Sequence, residues 1–183
     1  MNLLLGESLA LVRGGRLLFE GLDLTLGEGA ALHVTGPNGC GKSSLIRLVA
    51  GLLRPDAGRI ERAEAALADE HLALDREIPL GRALAFWGGP RAIEAIDSFG
   101  LLALAEVPVR LLSTGQAKRA RLARVMASRA PLWLLDEPLN GLDREGSERL
   151  AGAIGAHRAA GGAVLAASHV PMAGDWRMLE LGR

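Results

Sequence analysis

The stretch Gly36-Pro37-Asn38-Gly39-Cys40-Gly41-Lys42-Ser43 fits the pattern G-x-x-x-x-G-K-[ST], and its flanks decide what that pattern means. Upstream, Ala30 to Thr35 is apolar enough for a buried strand. Downstream, Ser43 to Ala50 carries Leu45, Ile46, Leu48 and Val49 at helical spacing until Gly51 stops it. A polyphosphate fits this strand–loop–helix context. Glycines let backbone N–H groups curl round it at a helix N-terminus, Lys42 supplies a cation for the outer phosphates, and the Ser43 hydroxyl offers an oxygen to Mg²⁺. The phosphate-binding set is then Gly36, Pro37, Asn38, Gly39, Cys40, Gly41, Lys42, Ser43 and Ser44. For Cys40 the competing role is a small buried residue.

Outward from this loop, the order of elements predicts an α/β fold with a parallel sheet. Leu132 to Leu135, Glu145 to Ala159 and Ala163 to Ala167 read as strand, helix and strand. Leu9 to Val12 and Arg16 to Phe19 flank Gly14-Gly15, and Leu22 to Leu26 alternates apolar and polar, so an antiparallel lobe comes first. Arg54 to Gly58 is a turn, and Arg62 to Glu77 stays open between helix, strand edge and loop. Arg82 to Trp87, Arg91 to Ala105 and a helix from Thr114 past Met126 form a small helical lobe over about 82–130.

At 183 residues this is one domain by length, and 49% apolar residues suffice for a core. Lys plus Arg (21) balances Asp plus Glu (21), so charge demands neither nucleic acid nor an anionic membrane. The longest uncharged run, Ala159 to Gly174, is broken by glycines, His169 and Pro171 and falls short of the ~20 apolar residues of a spanning helix. With no basic leader at Met1 to Glu7 and Cys40 as the single cysteine, a cytosolic location is expected.

Leu132-Trp133-Leu134-Leu135-Asp136-Glu137 is an apolar strand ending in two carboxylates at the ligand edge of the sheet. Asp136 suits Mg²⁺, and Glu137 suits the base that orients or deprotonates an attacking water. His169 follows the Ala163 to Ala167 strand, so Lys42, Glu137 and His169 can converge on one phosphate. His33, His71 and His157 start as structural residues. Ser113-Thr114-Gly115-Gln116 opens a helix and makes either a second anion site or an ordinary N-cap. Along that helix Leu122, Val125 and Met126 share a face, leaving the basic run from Lys118 to Arg129 as its solvated side, and no nucleic-acid partner is expected.

The phosphate loop, Ser113 to Gln116, Asp136-Glu137-Pro138, Asn140-Gly141-Leu142-Asp143 and Ser168-His169, in this order, resemble the nucleotide-binding subunits of ABC transporters over nearly the whole chain. The resemblance implies a P-loop NTPase of ABC type, a single ATP-binding domain over 1–183, with Mg²⁺ and ATP. It implies that Ser113 and Gly115 contact the γ-phosphate held by the other subunit of a head-to-tail homodimer, and that Asp143 communicates across it. An integral-membrane permease would be the partner, on the cytoplasmic face of the inner membrane. Val107 to Gln116 and Ser128 to Pro138 are similar to the haem-exporter ATPase subunits of cytochrome c maturation. Haem is not expected to bind this chain directly, because there is no C-x-x-C-H.

Two positions depart from the family pattern. Where it usually has a glutamine touching Mg²⁺, the nearest residue is His71, and where it often stacks an aromatic on adenine, the turn offers Arg13 to Arg16. The alternatives are an ABC ATPase serving another transported substrate, a soluble ABC ATPase acting on nucleic acid or ribosomes, and a GTPase or kinase. The last lacks N-K-x-D and would leave Ser113 to Gln116 without a task.

Overall fold

The computed structural model describes residues 1–70 and 74–182. Two sheets meet on either side of the phosphate loop. β1 (Asn2–Arg13) and β2 (Arg16–Gly27) form one long antiparallel hairpin across Gly14-Gly15, and β4 (Ala57–Arg62) pairs antiparallel on the other side of β1. The second sheet is parallel, in the order β5, β6, β7, β3, β8, built from β3 (Ala31–Thr35), β5 (Ala65–Ala68), β6 (Leu132–Asp136), β7 (Ala163–Ala167) and β8 (Arg177–Glu180).

Both faces of the parallel sheet are covered, which is why its strands read as unbroken apolar runs. Leu132, Leu134, Leu165, Leu32 and Val34 face α1 (Lys42–Val49) and the antiparallel sheet. With the period of two that a pleat imposes, Trp133, Leu135, Val164 and Ala166 face the opposite way, toward the helices. All five residues of β6 are buried. Truncating one of its leucines to alanine would cost about 2–5 kcal/mol, so the strand carrying Asp136 to its edge is held firmly.

On the helical side α2 (Leu80–Gly88), α3 (Arg91–Ser98) and α4 (Thr114–Ala127) pack round Leu84, Ile96, Phe99 and Leu122, while α5 (Arg144–Ala159) seals the sheet with Leu150, Ala153 and Ile154. His157 completes that face of α5, its ring stacked on Trp133 at 4.0 Å between centroids.

At four places the structure departs from or adds to the sequence reading. The helix expected over Arg91 to Ala105 ends at Ser98, because Gly100 turns left-handed (φ 65°) and the Leu101 N–H closes on the Ile96 carbonyl at 2.9 Å; a short 3-10 turn, Leu102–Leu104, follows. Part of the open stretch is β5. β8 is only four residues and mostly exposed, and it exists because the edge of β3 offers hydrogen bonds, not because its own sequence favours a strand. Finally, the basic residues of α4 are not all solvated: Lys118 and Arg124 are among its buried residues.

Candidate active site

The phosphate loop leaves β3 and wraps the N-terminus of α1. Gly36 stands at φ 138°, and a Cβ there would lie 2.3 Å from the Leu181 carbonyl oxygen, so only glycine lets the chain after β8 pass behind the loop. Lys42 is buried and its Nζ donates to the carbonyls of Gly36 (2.8 Å) and Pro37 (3.1 Å). Two of its three N–H groups therefore brace the loop, and one remains to point outward.

Ser43 Oγ donates to Asp136 Oδ1 at 2.9 Å, joining the first turn of α1 to the end of β6. Burial pushes the Asp136 carboxyl above the usual carboxylate range, with the Ser43 hydroxyl and the Arg47 charge pulling it back. A hydroxyl and a carboxylate of this kind suit a hard divalent cation that also takes oxygens from a ligand. No group of three or more His, Cys, Asp or Glu side chains placed to cage a metal occurs among the described residues.

Glu137 follows directly in a left-handed backbone conformation (φ 47°), which costs a non-glycine residue about 1–3 kcal/mol. Its N–H donates to the Ala167 carbonyl at 2.8 Å, and its carbonyl accepts from Asn140 N (3.2 Å) and Lys118 Nζ (3.0 Å). These bonds hold the strained residue at the sheet edge. His169 Nδ1 lies 3.1 Å from Glu137 Oε1. An ionised carboxylate can only accept, so Nδ1 carries the proton and Nε2 is left for other partners.

A cleft of about 420 Å³ opens at the phosphate loop and Glu137, while His169 lines a neighbouring depression with His33, Thr35 and Trp176. Asn38, Gly39, Gly41, Lys42, Ser43, Ser44 and Glu137 line the cleft, with Arg13 and Leu18 of the hairpin closing the side where an aromatic is missing. Gly36 and Pro37 support the loop through their carbonyls, and the Cys40 side chain turns away from the cleft: it is 5% exposed, and a Cβ on Gly182 would sit 3.0 Å from its Cβ. Cys40 thus contributes main chain to the loop and takes the packing role.

Ser113, Thr114, Gly115 and Gln116 do not line this cleft among its described walls. Ser113 Oγ accepts from Gln116 N (3.3 Å) and Gln116 Oε1 accepts from Ser113 N (2.9 Å), a reciprocal cap at the start of α4. Beside it, a Cβ on Gly115 would lie 3.5 Å from the Gly141 carbonyl, so the cap and the Asn140 to Asp143 loop form one exposed ridge. Asp143 itself caps α5, accepting from Gly146 N at 2.7 Å. His71 lies outside the described residues. His33 is structural, its Nε2 3.0 Å from the Ser168 carbonyl. Sequence reasoning missed Lys118, although a signal was there: residues 118, 122 and 125 share one helical face with i, i+4, i+7 spacing.

The profile of the ABC transporter family matches residues 19–140. The chain is 56% identical over 174 residues to a cytochrome c biogenesis ATP-binding export protein, CcmA, of Sphingopyxis alaskensis, spanning 91% of this chain and 90% of that one. It is 59% identical over 172 residues to the protein of the same name from Novosphingobium aromaticivorans, spanning 93% and 90%. Among solved structures, an ATP-binding subunit of an ABC transporter superposes with a TM-score of 0.82 at 22% identity, over 92% of this chain and 80% of that one, a likeness of fold. With the family profile over residues 19–140 and these relatives more than half identical over nearly the whole chain, the chain belongs to the ABC transporter family, as an ATP-binding subunit of the kind named for cytochrome c biogenesis.

Proposed function

We propose that this chain, a single ATP-binding domain over 1–183 with its helical part near 82–130, hydrolyses ATP to power an export step in cytochrome c biogenesis. Its partner is an integral-membrane permease. The observation that carries the catalytic part is the His169–Glu137 contact at 3.1 Å, in which Glu137 lines the same cleft as Lys42 and Ser43. The biological role rests on the identity to relatives named for that process.

In this reading Lys42 and the loop amides hold the β- and γ-phosphates, and Arg13 covers the base by guanidinium stacking. Ser43 and Asp136 would hold Mg²⁺, which neutralises charge on the β- and γ-phosphate oxygens. Glu137 takes a proton from the water whose oxygen attacks the γ-phosphorus as the bond to the ADP oxygen breaks, and His169 fixes the direction of that carboxylate. Ser113 and Gly115 reach the γ-phosphate of a second copy, with Asp143 beside them, which explains why a capped helix N-terminus stands on an exposed ridge. No described helix is long and apolar enough to cross a membrane; in this reading attachment to the cytoplasmic face runs through the permease. Neither haem nor nucleic acid binds this chain in the proposed scheme.

The test is a Lys42→Ala variant as the only copy in the source cell. It is expected to abolish covalent haem staining of c-type cytochromes on denaturing gels while b-type cytochromes persist. Normal c-type staining would remove the cytochrome c role and leave the ATPase to another permease.

A further inference from the structure

Lys118 is a buried cation bonded to main chain rather than to a carboxylate. It sits on α4, five residues after Ser113, is 6% exposed, and its Nζ donates to the Glu137 carbonyl at 3.0 Å. Withdrawing an ammonium from water is costly, and burial and the Arg121 charge disfavour its charged form while the charges of Glu70, Asp136 and Glu137 favour it. Structural needs alone do not require it: α4 already fills this face with Leu122 and Val125.

The residue it holds is the strained one. Three anchors fix the Glu137 backbone at φ 47°: Ala167 from β7 through the N–H, Asn140 from the following turn, and Lys118 through the carbonyl. Only Lys118 comes from the helix that begins at the exposed Ser113–Gln116 cap. A shift of α4 along its axis displaces the backbone that carries this ammonium and so strains or releases its bond to the Glu137 carbonyl. Placement of a catalytic group within a fraction of an ångström matters, since a 1 Å error can cost about 10²-fold in rate.

We infer that Lys118 is a positioning residue for Glu137, tying the ordering of the α4 N-terminus to the aim of this subunit's own base. The inference rests on Glu137 acting as that base. It gives the buried end of α4 a task in its own subunit while the exposed end serves the other.

The test compares Lys118→Met, Lys118→Arg and Glu137→Gln in the ATPase assembled with its permease in membranes. Lys118→Met is expected to lower kcat about tenfold or more with KM for ATP and nucleotide binding nearly unchanged, and Lys118→Arg, which keeps a cationic donor, to recover most of it. Added to Glu137→Gln, Lys118→Met should slow the residual rate no further, because both act through one carboxylate. A normal kcat for Lys118→Met, equal loss in Lys118→Arg, or additive loss in the double variant would each overturn the link. Should Glu137→Gln itself hydrolyse ATP normally, the base assignment falls first and the Lys118 link with it.

Discussion

His169 and Glu137 arrive from the ends of adjacent parallel strands, and their side chains meet with Nδ1 3.1 Å from Oε1. His169 is half exposed and Glu137, which lines the cleft, is mostly covered. A single solvent-exposed polar contact contributes little to stability, so this one matters for direction, not for folding.

Glu137→Gln should keep ATP binding and lose turnover by about 10²-fold or more, because the amide preserves shape while removing the base. His169→Ala should lose less than Glu137→Gln at saturating ATP, with little change in melting temperature. Measured kcat values in the permease complex check the order. Equal kcat for His169→Ala and the unaltered protein would show that the contact does not direct the carboxylate.

Asp136 sets stability and function against each other. Its folded pKa is raised by burial, so the folded state holds the proton more tightly than the unfolded chain does. That contribution is complete below the ordinary carboxylate pKa of about 4 and is lost as pH rises through the folded value. At pH 7 without Mg²⁺ the ionised group is therefore a burden on the fold. Asp136→Asn should raise the melting temperature at pH 7 by about 2–4 °C, the shift that about 1 kcal/mol gives at this chain length, solvent at the open side limiting the gain. The gain should shrink toward pH 4 and reverse once Mg-ATP is added. A lower melting temperature for Asp136→Asn at pH 7 without metal would contradict the burial argument.

The parts of this site that were legible in the sequence are those where local geometry demands a residue type. Lys42 and Ser43 follow glycines at a strand-to-helix turn, and Asp136 and Glu137 end a strand whose five residues are all buried. Elements set by their neighbours were not legible. β8 forms because β3 has a free edge, and β5 because it can lie beside β6. Cys40 sat in a phosphate-loop pattern that says nothing of its side chain, which the chain after β8 covers. Lys118 failed for a different reason. A basic helix ordinarily turns its charges to water, and nothing in the sequence shows a main-chain carbonyl waiting inside.

The ridge of Ser113 to Gln116 and Asn140 to Asp143 gives a separate test of pairing between two copies. Among the described residues a Cβ at Gly115 meets only the Gly141 carbonyl, at 3.5 Å, and the residue needs no left-handed backbone. In the proposed pairing an acidic side chain at this point would face the γ-phosphate of the other copy, where like charges repel. Gly115→Asp should therefore fold and melt like the parent and bind ATP in its own cleft with similar affinity, yet fail to dimerise. In a Glu137→Gln background, where hydrolysis no longer separates the copies, light scattering should show an ATP-dependent dimer that Gly115→Asp abolishes. Persistence of that dimer would mean that the capped start of α4 lies outside the contact, and that its reciprocal Ser113 and Gln116 bonds serve the helix alone.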